Sequence, residues 1–142
     1  MFHQLLGQAS LALMLIVCGW ALWRGGKPER LAAAAMVAAW IGTSFVLDRR
    51  FSDIQWATLA VDLALLAALI GLSLTFRRRW LLAASGFHLL GVATHGAMMI
   101  DDKIQAAPYI VALGLWSCAV VASLAFGMVT LTRSPLPPSA FE

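Results

Sequence analysis

Residues 54–76, IQWATLAVDLALLAALIGLSLTF, are followed by three arginines and then by residues 80–100, WLLAASGFHLLGVATHGAMMI. Each apolar stretch is long enough to cross a bilayer core, which takes about 20 residues of α-helix. A cluster of arginines between two such stretches is typical of a connector at a membrane surface. These segments therefore predict two transmembrane helices joined by a short turn.

The same pattern extends in both directions along the chain. Apolar stretches bounded by charged residues give five predicted spans, at 4–23, 31–47, 54–76, 80–100 and 108–132. Hydrophobic residues make up 61% of the 142 residues and charged residues 12%, against roughly 45–50% and about 25% in soluble domains. The sequence therefore predicts an all-α integral membrane bundle, with one domain over 1–133 and a Pro-rich cytoplasmic tail over 134–142.

Lysines and arginines indicate the orientation of the predicted spans. One side holds Arg24, Lys27, Arg30, Arg77, Arg78, Arg79 and Arg133, whereas the other holds Arg49, Arg50 and Lys103. Because the side richer in Lys and Arg stays in the cytoplasm, we expect the N-terminus outside and the C-terminus in the cytoplasm.

Aromatic residues near the span ends are expected to form belts at the two membrane interfaces. Trp20, Trp23 and Trp80 lie at the predicted cytoplasmic boundary, and Trp56 and Tyr109 at the outer one. Two deeper tryptophans, Trp40 and Trp116, are expected to pack between helices.

Small residues at three- and four-residue spacing predict which helix faces pack together, because close backbone approach favours helix association in lipid. The faces are Ala35, Ala38, Ala39 and Gly42 in span two, Ala84, His88, Gly91 and His95 in span four, and Gly114, Ser117 and Cys118 in span five. Packing within the bundle is the main interpretation. The span-two face is also a candidate contact for a partner protein.

Asp62 is an acidic side chain well inside a predicted span. A charged Asp near a helix centre costs about 2.5–3.5 kcal/mol on insertion, so it usually faces the bundle interior and has a partner. At 1.5 Å per residue, Asp62 lies about 12 Å below the outer boundary, between His95 at about 7–8 Å and His88 at about 18 Å. An Asp62–histidine pair between spans three and four is therefore predicted.

Further polar residues share this outer half of the predicted bundle. Gln55 and Thr58 lie on the same helix face as Asp62, which gives a predicted intramembrane polar cluster of Asp62, His88, His95, Gln55 and Thr58. Two interpretations stay open. The cluster either makes interhelical hydrogen bonds alone, or forms a small polar recess that binds a proton, a small solute or a metal from the outside.

A metal site would use His95, Met98 and Met99, which lie at i, i+3 and i+4. Imidazole and soft methionine sulfur suit copper(I), although methionine also fills gaps in helical cores. Haem fits less well, because His88 and His95 on one helix cannot face each other across a porphyrin. No cofactor is therefore predicted, and copper and haem both stay as less favoured alternatives.

Motifs for enzyme chemistry are missing from the sequence. It has no Gly-rich phosphate loop, no nucleophile motif, no Cys-x-x-Cys and no His-x-x-x-His pair. Cys18 and Cys118 both fall within spans and are expected to act as small apolar residues rather than a disulfide. The sequence therefore favours a non-enzymatic protein.

Residues 21–32, ALWRGGKPERLA, together with Val61-Asp62-Leu63 and Gly86-Phe87-His88, resemble small multi-pass membrane proteins of alphaproteobacteria. The resemblance implies a bacterial inner-membrane location. It implies no function, cofactor or site residue.

The sequence therefore predicts a multi-pass protein of the bacterial inner membrane that acts as a non-enzymatic accessory or interaction subunit. Its expected partners are the lipid bilayer and either another membrane protein or a second copy of the chain. No nucleic-acid partner is expected, because the net charge of +3 is small and the charges lie between spans. The alternative is a small channel, a transporter-like protein, or a metal- or proton-binding protein that uses the Asp–His cluster.

Overall fold

The computed structural model describes residues 2–46, 56–100 and 106–133. These residues form five α-helices: α1 Phe2–Arg24, α2 Lys27–Val46, α3 Trp56–Phe76, α4 Arg79–Ile100 and α5 Ala106–Arg133. The all-α fold class is confirmed, and each helix contains most of one predicted span. The predicted tail at 134–142 lies outside the described residues.

The helices pack in an irregular ring. Consecutive helices pack against each other, α5 closes the ring against α1, and α2 also contacts α5. Two-residue connectors join α1 to α2 and α3 to α4, so these neighbours are antiparallel. We name the end where α2 and α4 begin the Glu29 end, and the end where α4 finishes the His95 end.

The connector between α1 and α2 is shorter than the sequence predicts. Residues 27–30 belong to α2 rather than to a loop, because proline suits the first turn of a helix and a glutamate there interacts favourably with the helix dipole. The Gly25 amide donates to the Ala21 carbonyl at 2.8 Å. A side chain at Gly25 would collide with that carbonyl and lie 2.8 Å from the Glu29 Cβ. The tight turn therefore requires glycine.

The apolar core lies mainly in the half of the bundle nearer the Glu29 end. Its members come from all five helices: Met14, Val17, Cys18, Ala21, Ala32, Ala33, Met36, Leu69, Trp80, Leu81, Ala84, Val120, Val121, Leu124 and Met128. The alanines of α1 and α2 let these helices approach closely, and larger side chains of α4 and α5 fill the remaining space. This half of the described bundle is therefore closely packed.

The outer surface of the bundle is also apolar. Three helical segments are long and apolar enough to cross a membrane, namely α3, α4 and residues 107–131 of α5, and Ser10–Arg24 is a shorter apolar helix. Large apolar side chains such as Ile16, Phe45 and Leu74 are exposed on the outside. Such a surface is expected where lipid surrounds the protein, and it indicates a membrane-associated helical bundle.

Several aromatic residues lie elsewhere than predicted. Trp80 and Tyr109 are buried rather than facing a membrane interface, and Trp40 is exposed rather than packed between helices. Trp23 and Trp56 are exposed, as a belt requires. The predictions counted depth along each helix, and depth does not determine which way a side chain rotates around the axis.

The predicted small-residue faces agree with the structure on α4 but differ from it on α2. On α4, Ala84, Gly91 and His95 are buried, as predicted. On α2 the buried stripe is instead Ala32, Ala33 and Met36. Gly42 packs inside the bundle, since a Cβ at that position would lie 3.6 Å from Val61 of α3. The predicted span-two face is therefore only partly available to a partner.

Candidate functional site

The inner face of α3 carries the acidic group of the site. Thr58 and Asp62 are four residues apart, and Leu66 and Leu69 continue the same face toward the core. Residues at this spacing lie one above the other on a helix. The apolar side chains therefore bury this face and turn Asp62 toward α4.

Asp62 and His95 form the central contact. The His95 Nε2 lies 2.9 Å from the Asp62 Oδ2, and the two side chains are 3% and 21% exposed. An ionised carboxylate only accepts hydrogen bonds, so Nε2 carries the proton. The structure thus places Asp62 beside a histidine of α4, in the pairing that the sequence predicts.

Tyr109 of α5 extends this contact into a chain of three side chains. Its hydroxyl lies 2.7 Å from the His95 Nδ1, and the two rings meet edge to face with centroids 5.6 Å apart. With Nε2 protonated, Nδ1 accepts the hydrogen bond that the tyrosine hydroxyl donates. His95 therefore links α3 to α5, two helices that do not pack directly in the described part of the chain.

Sequence reasoning missed the role of Tyr109, because a tyrosine near a span end resembles an interface residue. Its position along the helix was a signal that could have revealed its contact with His95. Tyr109 lies in the first turn of α5, at the end of the bundle where α4 finishes, and therefore at nearly the same height as His95. Comparing the heights of all polar side chains would have paired them.

His88 approaches Asp62 from the other side. Its Nε2 donates to the Asp62 backbone carbonyl at 2.9 Å and lies 4.0 Å from the carboxylate Oδ1. The His88 side chain is 13% exposed, and its Nδ1 has no hydrogen-bond partner among the described residues. Asp62 therefore lies between the two histidines in height, as the depth calculation predicts.

The remaining members of the predicted cluster contribute less. Thr58 is 5% exposed, and its hydroxyl has no hydrogen-bond partner in the described residues. Gln55 lies outside them. A second polar link, not predicted, joins α4 to α5, where the Trp116 Nε1 donates to the Thr94 hydroxyl at 3.2 Å.

The copper interpretation requires His95 to have a free ring nitrogen. Both nitrogens are engaged, one with Asp62 and one with Tyr109. Met99 is exposed and Met98 half-buried. In residues 2–46, 56–100 and 106–133, no group of three or more His, Cys, Asp or Glu side chains could hold a metal ion. A metal at His95 would have to displace Asp62 or Tyr109.

A second buried acidic group lies at the Glu29 end and was not predicted. Glu29 is 2% exposed, and its Oε1 accepts a hydrogen bond from the Trp80 Nε1 at 3.2 Å. Its Oε2 has no hydrogen-bond partner in the described part of the chain. The Trp80 ring is wedged against Gly127, where a Cβ would lie only 2.7 Å from a ring carbon. This contact is mainly a packing feature.

The Asp62 cluster places two imidazole rings within 4.0 Å of one carboxylate. With Asp62 ionised and both histidines neutral it carries one negative charge, and a proton on either imidazole makes the cluster neutral overall.

Comparison with models of known protein families, with curated proteins and with solved structures gave no match. Inference about function therefore starts from the chemistry of Asp62, His88 and His95.

Proposed function

We propose that this chain is a five-span integral protein of the bacterial inner membrane, with its N-terminus outside and its C-terminus in the cytoplasm. The charge distribution supports this orientation. Six exposed basic residues lie at the Glu29 end: Arg24, Lys27, Arg30, Arg77, Arg78 and Arg79. The sequence segments that join α2 to α3 and α4 to α5 hold fewer basic residues, namely Arg49, Arg50 and Lys103. The positive-inside rule then places the Glu29 end in the cytoplasm.

The topology can be tested with reporters fused to the two termini. A reporter active only in the periplasm should work at the N-terminus, and one active only in the cytoplasm should work at the C-terminus. Reporters that place both termini in the same compartment would contradict an odd number of spans.

The molecular role that the site supports best is reversible proton binding without catalysis. The observation that carries this proposal is the position of the Asp62 carboxylate, 2.9 Å from His95 Nε2 and 4.0 Å from His88 Nε2. An ionisable residue within a membrane-spanning helix is costly and commonly marks a functional site. The chemistry of imidazole, which titrates near pH 6.5 in water, suits such a role.

His88 is the better proton acceptor of the two histidines. Protonating His95 would put a hydrogen on Nδ1, so Tyr109 could no longer donate to it. Protonating His88 on Nδ1 breaks no hydrogen bond among the described residues, because its Nε2 already donates to Asp62. The resulting positive charge lies near the carboxylate and offsets it where the dielectric constant is low.

The proton should exchange with the outer side. The core residues Leu69, Leu81 and Leu124 are fully buried between the cluster and the Glu29 end. This packing supports binding within one chain rather than passage through it. A channel would then require a pore between several copies.

Infrared difference spectroscopy on the purified protein tests this role directly. Lowering the pH through the histidine range should add a proton to the wild type and change the imidazole and carboxylate bands. In a His3→Gln background, which leaves only the histidines of the cluster, His88→Gln should remove the imidazole change, since a glutamine amide can still donate to the Asp62 carbonyl but cannot bind the proton. Asp62→Asn should remove the carboxylate change and keep the fold, because the Asn oxygen still accepts from His95.

The matched control is Glu29→Gln, which removes the carboxylate at the other end of the bundle. Glu29 is 2% exposed and far along the bundle from the cluster, so the wild-type response should persist. If His88→Gln and Asp62→Asn both retain the full wild-type response, the proton-binding role is wrong.

An accessory or interaction subunit is the second candidate, and the outer face of α3 favours it. Ala60, Ala64, Ala67 and Gly71 lie on one exposed stripe of this helix, and a Cβ at Gly71 would meet no atom within 4 Å. Small residues on an exposed helix face allow another helix to approach closely. This face replaces the span-two face as the candidate contact.

Mild-detergent purification with mass measurement tests the second candidate. Ala64→Leu and Gly71→Leu should release a partner or a second copy while the chain itself stays folded. Leu115→Ala, at an exposed position on a different helix, α5, serves as the control. A wild-type protein that already behaves as a single chain without partners would contradict this candidate and leave the proton-binding test unaffected.

A further inference from the structure

A groove runs along the outside of the bundle between α4 and α5. It is an open groove of about 480 Å³ and is mainly apolar, with Ala83, Phe87, Ala119, Ala122 and Phe126 among its lining residues. The alanines leave the space open and the phenylalanines border it. One end of the groove carries a charged side chain, that of Arg79.

A second depression adjoins the first at this arginine. It encloses about 340 Å³ and is lined by Arg77, Arg78 and Arg79 together with residues of α3 and α4. All three arginines are exposed, and none forms a salt bridge within the described parts of the chain. The corner between α3 and α4 is therefore a concentration of positive charge at the mouth of an apolar groove.

The backbone adds to this positive potential. Arg78 directly precedes the first turn of α4, and its carbonyl accepts from the amides of Leu81 and Leu82 at 3.1 and 3.3 Å. The positive end of the α4 dipole lies at this turn and favours a nearby anion. A negatively charged headgroup would thus meet both the guanidinium groups and the helix terminus.

We propose that this surface binds an acidic phospholipid. One acyl chain lies in the groove between α4 and α5, and the phosphate contacts Arg79 with its neighbours Arg77 and Arg78. Guanidinium groups bind phosphate oxygens through paired hydrogen bonds, and basic pockets between membrane helices on the cytoplasmic side suit such headgroups. A protein helix fits less well, because it would bury Arg79 without a negative partner. The site requires a membrane but does not depend on proton binding.

Native mass spectrometry and thermal unfolding of the full chain test the proposal. Phosphatidylglycerol should bind and raise the melting temperature, whereas phosphatidylcholine with the same acyl chains should not. Arg79→Gln should weaken phosphatidylglycerol binding by about tenfold, as expected for the loss of one charge-assisted hydrogen bond. Ala122→Leu should also weaken it by filling the groove from an exposed position.

Arg24→Gln is the matched control, since Arg24 is exposed at the same end and lines neither depression. It should leave lipid binding unchanged. If Arg79→Gln fails to fold, Arg78→Gln replaces it with the same expected direction. Equal stabilisation by both lipids, or equal losses for Arg24→Gln and Arg79→Gln, would overturn the site. A change in oligomer mass with Ala122→Leu at unchanged lipid binding would show that a second chain occupies the groove.

Discussion

At both ends of the bundle a ring on α4 connects helices that do not pack directly within the described ranges. Trp80 reaches α2 through Glu29 at one end, and His95 reaches α3 and α5 through Asp62 and Tyr109 at the other. The indole donates one hydrogen bond and packs its face on Gly127. The imidazole uses both nitrogens. The Glu29 end therefore depends on packing, and the His95 end depends on hydrogen bonding.

The acidic groups at the two ends, Glu29 and Asp62, differ in their burial and in the number of their polar neighbours. Glu29 is the more deeply buried, and one of its carboxylate oxygens has no hydrogen-bond partner in the described residues. Asp62 is partly exposed and has two histidines beside it. Asp62 is thus the more accessible of the two acidic groups and the one with more polar neighbours. This contrast is the reason why the proposed proton-binding role is assigned to the His95 end rather than to the Glu29 end.

The largest effect is expected where packing is tightest. In Gly127→Ala, the added Cβ would lie 2.7–2.8 Å from three atoms of the Trp80 ring, closer than carbon atoms can approach. The buried ring must move, and overpacking of this kind costs about 1–3 kcal/mol, occasionally more. Thermal unfolding in detergent should show a clear loss of stability.

Gly114→Ala on the same helix is the control for this prediction. A Cβ at that position meets no atom within 4 Å, and alanine is favoured over glycine in helices by about 1 kcal/mol. Its stability should be unchanged or higher. If both variants behave alike, the Trp80–Gly127 contact is not tight in the membrane.

Removing the indole donor should have the next largest effect. Trp80→Phe keeps most of the ring packing but leaves the Glu29 Oε1 without its hydrogen bond. A buried polar group left without a partner costs about 1–3 kcal/mol. In a Glu29→Gln background the cost should be smaller, because a neutral amide is cheaper to bury than a carboxylate. A double-mutant cycle on unfolding free energies measures the difference, and purely additive values would contradict a coupled pair.

The contacts at the His95 end could be predicted from the sequence, because they depend on how far each residue lies along its helix. Asp62, His88 and His95 lie in uninterrupted helices, so a rise of 1.5 Å per residue places them correctly. The Glu29 end could not be predicted in this way. The Gly25-Gly26-Lys27-Pro28 composition is typical of a loop, whereas α2 begins at Lys27 and buries Glu29 within its first turn.

The rotation of each helix about its own axis also could not be predicted from the sequence. The helices that are candidates to cross a membrane are apolar on nearly every face, so no polar side marks the outside. Trp80 and Tyr109 lie near the ends of predicted spans yet face inward. Only their partners, Glu29 and His95, reveal this orientation, and those contacts require the three-dimensional arrangement.

Tyr109→Phe should have a smaller effect than Trp80→Phe. It removes the donor to the His95 Nδ1 and keeps the edge-to-face ring contact. Hydrogen bonds between membrane helices contribute about 0.6 kcal/mol on average and up to about 1.7. Nitrogen NMR should show His95 in the Nε2–H form in both proteins, because Asp62 still accepts from Nε2, and should show a shifted Nδ1 resonance in the variant, because that nitrogen has lost its donor. Trp56→Phe, at an exposed position of the same end, should change neither stability nor the His95 signals.

The smallest change in stability is expected at Thr58, where a substitution should leave the stability unchanged or raise it. Its hydroxyl is buried beside the Asp62 cluster and has no hydrogen-bond partner in the described part of the chain. Thr58→Val keeps the shape and removes a group whose burial is unfavourable, so stability should stay level or rise by up to about 1 kcal/mol. Thr94→Val removes a hydroxyl that bonds Trp116 and Leu90 and should instead lose about 0.6 kcal/mol. If the two variants lose equal stability, the Thr58 hydroxyl has a partner in the membrane, and a water or ligand bound beside Asp62 becomes the explanation to test.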